Sequence, residues 1–325
     1  MTSITIPPIM MRLCCSKKSS ESYETRNGVC VGDEEGFHAL PSFPSLEPSE
    51  AAMFTTSKGG KRFDVSVLQV GTCHEKKADF EIELDASFDG QTVVGFGGAF
   101  TDSSATNLLK MSPAVRSLVL EAYFGDSGLQ YTVGRIPMAS CDFSSGVYSY
   151  NDVDGDLEMS NFSIDVDEVS GKLSLIKDAL ALSKRKISLF ASPWAPPAWM
   201  TEENSTINCR IQGNPGEPYW SAWALYFSKF LSAYRDEGID MWAVTVQNEP
   251  VRQPLQVNHW QSQRFDSRTE CDFIKLDPPM FTLSHTTIRK IKLPIGIPLC
   301  PTRSLARISV GRHFIGIQTL ILCLD

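Results

Sequence analysis

Residues 242–250 read Trp-Ala-Val-Thr-Val-Gln-Asn-Glu-Pro, which is an apolar strand followed by an amide side chain, a carboxyl side chain and a proline. The Val-Thr-Val run at residues 244–246 favours a pleated, buried strand. Pro250 has no N–H and cannot continue a ladder, so the strand has to end where Asn248 and Glu249 emerge. In parallel α/β folds, strand ends are where catalytic groups lie.

Glu249 at such a position has two interpretations. A strand-end glutamate beside a hydrogen-bonding asparagine suits proton donation in glycoside hydrolysis, where one carboxyl is the acid and another is the nucleophile or base. The structural alternative is a glutamate that merely caps the loop after the strand. The surrounding sequence has to decide between the two.

Strand and helix patterns alternate upstream of this stretch. The predicted strands lie at residues 92–96, 130–136, 187–191 and 241–246. The predicted helices lie at residues 101–110, 112–123, 173–182 and 219–237. This alternation predicts a parallel sheet or half of a barrel. The glycines near residue 95 lack the G-x-G-x-x-G spacing of a nucleotide-binding sheet, so a barrel is favoured over an open sheet.

Net charge divides the chain into an acidic body and a basic tail. Residues 1–250 hold 20 Lys and Arg against 33 Asp and Glu, which gives −13, whereas residues 251–325 hold 10 against 5, which gives +5. An acidic body argues against nucleic-acid binding. Before the barrel pattern, residues 63–68 and 80–88 predict strands of a small antiparallel sheet.

The cysteine pattern gives no sign of a metal site. Nine cysteines are present, but no C-x-x-C pair or His/Cys set has zinc spacing, so we expect no bound metal. The three cysteines before residue 31 are compatible with disulfides or with free thiols. No run of about eighteen apolar residues predicts a membrane span, and the start of the chain shows no clear signal peptide.

Polar or aromatic residues suited to sugar binding follow every predicted barrel strand. They are Asp102 after the first, Arg135 and Asp142 at the second, Trp194 and Trp199 after the third, and Asn248 and Glu249 after the fourth. Aromatic faces pack on the C–H faces of sugar rings, and carboxylates and amides bind hydroxyls. Each residue alone could have a purely structural role, as an ion-pair partner, a packing residue or a turn former. Together at successive strand ends, they favour a sugar site.

Four segments carry a family resemblance: GFGGAFTD at 95–102, RIPMASCDFS at 135–144, ASPW at 191–194 and WAVTVQNEP at 242–250. They resemble the glucosylceramidases of glycoside hydrolase family 30. The resemblance implies an α/β fold, a (β/α)8 TIM barrel of which about the first half is present, with part of a small antiparallel β-domain. The implied boundaries are a loop and β-domain segment at 1–91, the half barrel at 92–277, and a divergent tail at 278–325.

The resemblance also implies roles for individual residues. Glu249 would be the general acid/base, Asn248 would hold the region of the sugar's 2-hydroxyl, and Asp142 and Trp194 would line the glucose pocket. Asn161 matches a glycosylation site of the family. A second sequon begins at Asn204. No cofactor is implied.

The family's nucleophile is a glutamate about a hundred residues beyond the acid/base, and no matching motif follows Pro250 here. We therefore expect a cofactor-free retaining glycosidase architecture, acting on glucosylceramide or another β-glucoside, in a chain that is inactive alone. The alternatives are a non-catalytic truncated product that acts as a binding or regulatory partner, and an endo-glycosidase of the same wider family. The resemblance implies a lysosomal location and a lipid-presenting activator protein as partner.

Overall fold

The computed structural model describes residues 43–59, 61, 63–71, 93–250 and 260–276 in full, and three further strands by their backbone alone. In chain order the strands are β1 (Thr25–Arg26), β2 (Val29–Cys30), β3 (Glu50–Thr55), β4 (Asp64–Gln69), β5 (Gly97–Ala99), β6 (Val133–Met138), β7 (Ser188–Pro193), β8 (Ala243–Thr245) and β9 (Ile321–Cys323). The α-helices are α1 (Asp102–Leu109), α2 (Pro113–Phe124), α3 (Asp165–Val169), α4 (Lys172–Leu182), α5 (Pro218–Asp236) and α6 (Ser267–Leu276).

The chain forms two compact units. One comprises residues 1–90 and 112–130, and the other comprises residues 91–111 and 131–325. The first unit holds two antiparallel hairpins, β1 with β2 and β3 with β4, together with α2. The predicted strand at 63–68 is confirmed as β4, but its partner is β3, which the sequence patterns had missed. The other predicted strand, at 80–88, lies outside the described residues.

The second unit is built on a five-stranded sheet with the order β5-β6-β7-β8-β9. Strands β5 to β8 are parallel, as expected of a partial barrel, and β9 pairs antiparallel with β8. Three of the four predicted barrel strands are confirmed, at β6, β7 and β8. The first lies later than predicted, because hydrogen-bond pairing runs through the glycine pair of β5 rather than through residues 92–96.

Helix α5 supplies much of the core of this unit. Its buried apolar side chains recur at helical spacing, and they are Trp220, Trp223, Ala224, Phe227, Phe230, Leu231 and Tyr234. These are the residues from which the sequence predicts the helix, so the period of 3.6 residues correctly identifies the core face. Pro218 at the start suits a helix because the first N–H groups of a helix have no intrahelical partner. None of the helices in the described part of the chain is long and apolar enough to cross a membrane.

A buried polar network crosses the core beside the sheet. Lys172, with no exposed side-chain surface, lies 2.8 Å from Asp167 Oδ1 and 3.1 Å from Asp102 Oδ1. The hydroxyls of Tyr234 and Tyr150 donate to Asp167 Oδ2 at 2.6 and 2.5 Å. Burial raises the pKa of both tyrosines well above its ordinary value, so both remain donors. The network therefore joins the starts of α1 and α4 to α3 and α5.

Candidate active site at the strand ends

The carboxyl ends of β6, β7 and β8 lie side by side, since the three strands are parallel neighbours. Arg135 lies on β6, Ser192 lies on β7, and Asn248 follows β8. The backbone N–H of Asn248 donates to the carbonyl of Pro193 at 2.9 Å, which extends the β7–β8 alignment past the end of β8. Residues that are far apart in sequence thus meet at one edge of the sheet.

Arg135 is the centre of this edge. Its Nη2 donates to Asn248 Oδ1 at 2.7 Å, and its Nε donates to Ser192 Oγ at 3.0 Å. The guanidinium carbon lies 4.7 Å from the centroid of the Trp194 ring, which is within cation–π range. Ser192 is fixed in turn by a 2.7 Å hydrogen bond with the hydroxyl of Thr245. The sequence analysis did not identify Ser192 and Thr245 as site residues. A hydroxyl side chain within an otherwise apolar strand is the signal that could have indicated them.

Charge accumulates around the same guanidinium. Burial lowers the pKa of Arg135, while the nearby Cys141, Asp142 and Glu249 raise it. Arginine remains charged in either case. The carboxyls of Asp142 and Glu249, two of the predicted site residues, therefore both interact electrostatically with Arg135. Asp142 itself is exposed, on the loop after β6.

Glu249 is half-buried and has a left-handed backbone, with φ of 48°. The preceding residues are held by Gln247, whose Nε2 donates to the carbonyl of Trp194 at 2.8 Å and to that of Asn248 at 3.3 Å. Trp194 is itself buried, with 8% of its surface exposed. The backbone therefore bends at residues 248–250, directly after β8.

Two further residues named from the sequence have other partners. The Asp102 carboxylate lies in the buried network, accepting from Ser144 Oγ and, at 2.8 Å, from the hydroxyl of Tyr148, besides its pairing with Lys172. Trp199 is buried, and its indole N–H donates to the carbonyl of Asn151 at 2.9 Å. This geometry fits a role of Trp199 in packing better than a role in stacking against a sugar ring.

Both sequons are at the surface. Asn161 is exposed in a turn where its side-chain nitrogen donates to Asp156 Oδ2 at 3.1 Å. Hydrogen bonds from the backbone of Asn161 and Ser160 lower the pKa of Asp156 to about 2. Asn204 is exposed with a left-handed φ of 45°. Glycosylation of Asn161 and Asn204 stays a prediction.

Comparison with known proteins identifies the family to which the chain is similar. Residues 93–295 match the glycosyl hydrolase family 30 TIM-barrel domain. The lysosomal acid glucosylceramidase of Mus musculus is 39% identical over 269 residues, which cover 82% of this chain and 52% of the mouse protein. An endo-1,6-beta-D-glucanase of Neurospora crassa is 33% identical over 173 residues, 51% of this chain and 35% of the glucanase.

A solved structure supports the fold. The crystal structure of SrfJ from Salmonella typhimurium has a TM-score of 0.61 and 28% identity, covering 71% of this chain and 49% of SrfJ. The chain spans about half the length of the curated relatives it matches, with 57% and 52% for two of them. The strand-end geometry and the extent of the family match lead to one conclusion: this chain belongs to glycosyl hydrolase family 30, with sequence similarity to its glucosylceramidases.

Proposed function

We propose that Glu249 is the general acid/base of a retaining β-glucosidase site whose substrate is glucosylceramide or a related β-glucoside. The observation that carries the proposal is the Arg135 guanidinium, which donates to Asn248 Oδ1 at 2.7 Å and interacts electrostatically with the Asp142 and Glu249 carboxyls, at the ends of β6 and β8. By the same resemblance to a mouse lysosomal enzyme, we propose a lysosomal setting and a lipid-presenting activator protein as partner.

In such a reaction the Glu249 carboxyl donates its proton to the glycosidic oxygen as the C1–O bond breaks. A second carboxylate attacks C1, and a water deprotonated by Glu249 later releases the sugar. Residues 251–325 contain no glutamate in a motif that matches the family's nucleophile. We therefore propose that the 325 residues on their own supply the proton-transfer half of the site and do not hydrolyse glycosides.

An external nucleophile tests this proposal on the chain as it is. With an alkyl β-glucoside, whose alcohol leaving group needs protonation, we expect no hydrolysis without additive and slow formation of α-glucosyl azide in concentrated sodium azide. Glu249→Gln should lower the azide reaction roughly 100-fold or more, the usual contribution of a general acid. The product is measured by NMR, which distinguishes the α-azide from glucose.

The outcomes separate the two parts of the proposal. Equal azide reaction in wild type and Glu249→Gln would remove Glu249 from the acid/base role. Hydrolysis without azide that disappears in Glu249→Gln would retain the role but show that a second carboxyl is present in these residues.

The competing function is that of an endo-glycosidase, favoured by the similarity to the Neurospora crassa endo-1,6-glucanase. The match to the mouse glucosylceramidase covers more of this chain, 82% against 51%, so the β-glucosidase proposal is preferred. Replacing the alkyl β-glucoside by a β-1,6-linked glucan in the same azide assay distinguishes the two substrate classes.

A further inference from the structure

We propose that Arg135 is a positioning residue that holds the side-chain amide of Asn248 in one orientation, with its NH2 group presented as a donor to a sugar hydroxyl. The inference rests on the proposed function for the identity of the ligand. It goes beyond that function by assigning a role to Arg135 and a chemical preference to the site.

The orientation of the Asn248 amide follows from which atoms of the two side chains can donate and which can accept a hydrogen bond. A guanidinium group has five N–H donors and no acceptor, so the Asn248 atom that lies 2.7 Å from Arg135 Nη2 has to be the amide oxygen. The nitrogen end of the amide therefore faces away from Arg135. Among the described residues, none accepts a hydrogen bond from this nitrogen, and Asn248 is half-exposed. A donor is thus left available at the strand end.

Arg135 is itself held at three points. Its Nε donates to Ser192 Oγ at 3.0 Å, its planar group lies over the Trp194 ring at 4.7 Å, and its Nη2 contacts Asn248. Because the N–H groups of a guanidinium lie in one plane at fixed angles, hydrogen bonds to it fix direction as well as distance. Since the backbone of Asn248 is fixed by Pro193 and Gln247, rotation of the amide is the freedom that Arg135 removes.

The consequence is a preference for ligands that carry an acceptor at this position. An amide free to rotate offers either its oxygen or its NH2 group, whereas the held amide offers only N–H. By the proposed function, the acceptor is the 2-hydroxyl oxygen of a β-glucoside. A 2-deoxy sugar lacks it, and losing one hydrogen bond of this type weakens binding roughly two- to tenfold.

The test compares the 325-residue wild type with Arg135→Ala, Asn248→Ala and the double variant Arg135→Ala/Asn248→Ala. Lys177→Ala serves as the matched control, since it removes a cation from an exposed pair in the same unit. The first readout is NMR of the side-chain NH2 signals of Asn248 in the free protein, identified by their loss in Asn248→Ala. We expect NH2 chemical shifts that differ from those of a free asparagine in wild type and Lys177→Ala, and shifts that move toward the free values in Arg135→Ala.

The second readout is the ratio of dissociation constants for methyl 2-deoxy-β-glucoside and methyl β-glucoside, from NMR titration. We expect a ratio of roughly two to ten in wild type, a lower ratio in Arg135→Ala, where the amide has to be ordered on binding, and a ratio near one in Asn248→Ala, which has no amide. The double variant should give the same ratio as Asn248→Ala, because Arg135 acts through the amide that both variants lack. Unchanged Asn248 signals, or an unchanged ratio in Arg135→Ala, would overturn the proposal.

Failure of the proposed function has a different signature. If wild type binds neither glycoside, the substrate class is wrong, while the Asn248 signals of the free protein still decide whether Arg135 holds the amide. If Arg135→Ala does not fold, Arg135→Lys replaces it. Lysine keeps the charge but lacks the planar guanidinium, so it should change the Asn248 signals in the direction expected for Arg135→Ala.

Discussion

Two non-glycine residues at the carboxyl ends of the barrel strands have a left-handed backbone conformation. They are Glu249, with φ of 48°, after β8, and Ala139, with φ of 61°, after β6. For an L-residue this conformation costs about 1–2 kcal/mol, so the surrounding structure has to impose it. Strained positions of this kind cluster at active sites. Nothing in the sequence predicts the strain at Glu249, since a residue before proline is expected to be extended.

At the same scale, Glu270 on α6 gives a prediction about pH. Burial raises the pKa of Glu270 to about 7, and its Oε1 is buried with no hydrogen-bond partner in the described part of the chain. An ordinary glutamate has a pKa of about 4.3, so between that pH and about pH 7 the folded state keeps a proton that the unfolded state has released. Stability from this group is full below about pH 4 and is lost as the pH rises through about 7.

We expect Glu270→Gln to be more stable than wild type at pH 8 and to lose part of the decline in stability between pH 4.5 and 7.5. Urea unfolding followed by tryptophan fluorescence across this range measures the effect. Glu202→Gln, at an exposed position, is the control and should follow wild type. A Glu270→Gln profile parallel to that of wild type would contradict the prediction.

At the scale of elements, β5 shows how closely two strands can approach. A Cβ on Gly97 would lie 1.6 Å from the carbonyl oxygen of Val133, which is backbone and cannot yield. A Cβ on the adjacent Gly98 would have only the Tyr131 ring at 3.8 Å, an ordinary contact. Only the β5–β6 pairing, and not the sequence, distinguishes the two glycines from each other.

We therefore expect Gly97→Ala to separate β5 from β6 and destabilise the second unit by at least about 1–3 kcal/mol, as overpacking does. Amide hydrogen exchange should accelerate at Thr132, Val133 and Phe100, whose N–H groups bond across this pair of strands. Gly98→Ala, the neighbouring control, should leave these amides protected. Equal exchange in the two variants would show that the close approach is not retained in solution.

At the scale of the whole molecule, the buried network around Lys172 joins segments that are distant in sequence. One cation faces two carboxylates, and tyrosine hydroxyls complete their hydrogen bonds. Burying charges is tolerable only when they are paired and hydrogen-bonded. Asp102 and Asp167 would both be uncompensated without Lys172, so this cation is required for the packing of α1, α3 and α4.

Lys172→Met should destabilise the chain by about 3–5 kcal/mol, the usual cost of removing one partner of a buried ion pair. Lys177→Met, in a pair whose side chains are 45% and 41% exposed, should change stability by no more than about 1 kcal/mol. Both are measured by urea unfolding at pH 7. Similar losses in the two variants would mean that the Lys172 network contributes little.

Local patterns were sufficient for several parts of the fold. The 3.6-residue period predicted α5 and its buried face, and the Val-Thr-Val run before Pro250 predicted β8. Patterns failed where pairing is non-local. Strand β3 was missed, and β5 was placed a few residues too early, because the partner strand decides which residues of an extended segment form the ladder.

The sequence by itself determined the residue types at the strand ends, the alternation of strands and helices, and membership of glycosyl hydrolase family 30. These properties are encoded locally, in short motifs and in the period of apolar residues. Only the tertiary structure decided that Arg135 contacts Ser192 and Asn248, and that Asp102 pairs with a buried lysine. The physical reason is distance along the chain: Arg135 and Asn248 are 113 residues apart, and parallel strand packing alone brings them to 2.7 Å.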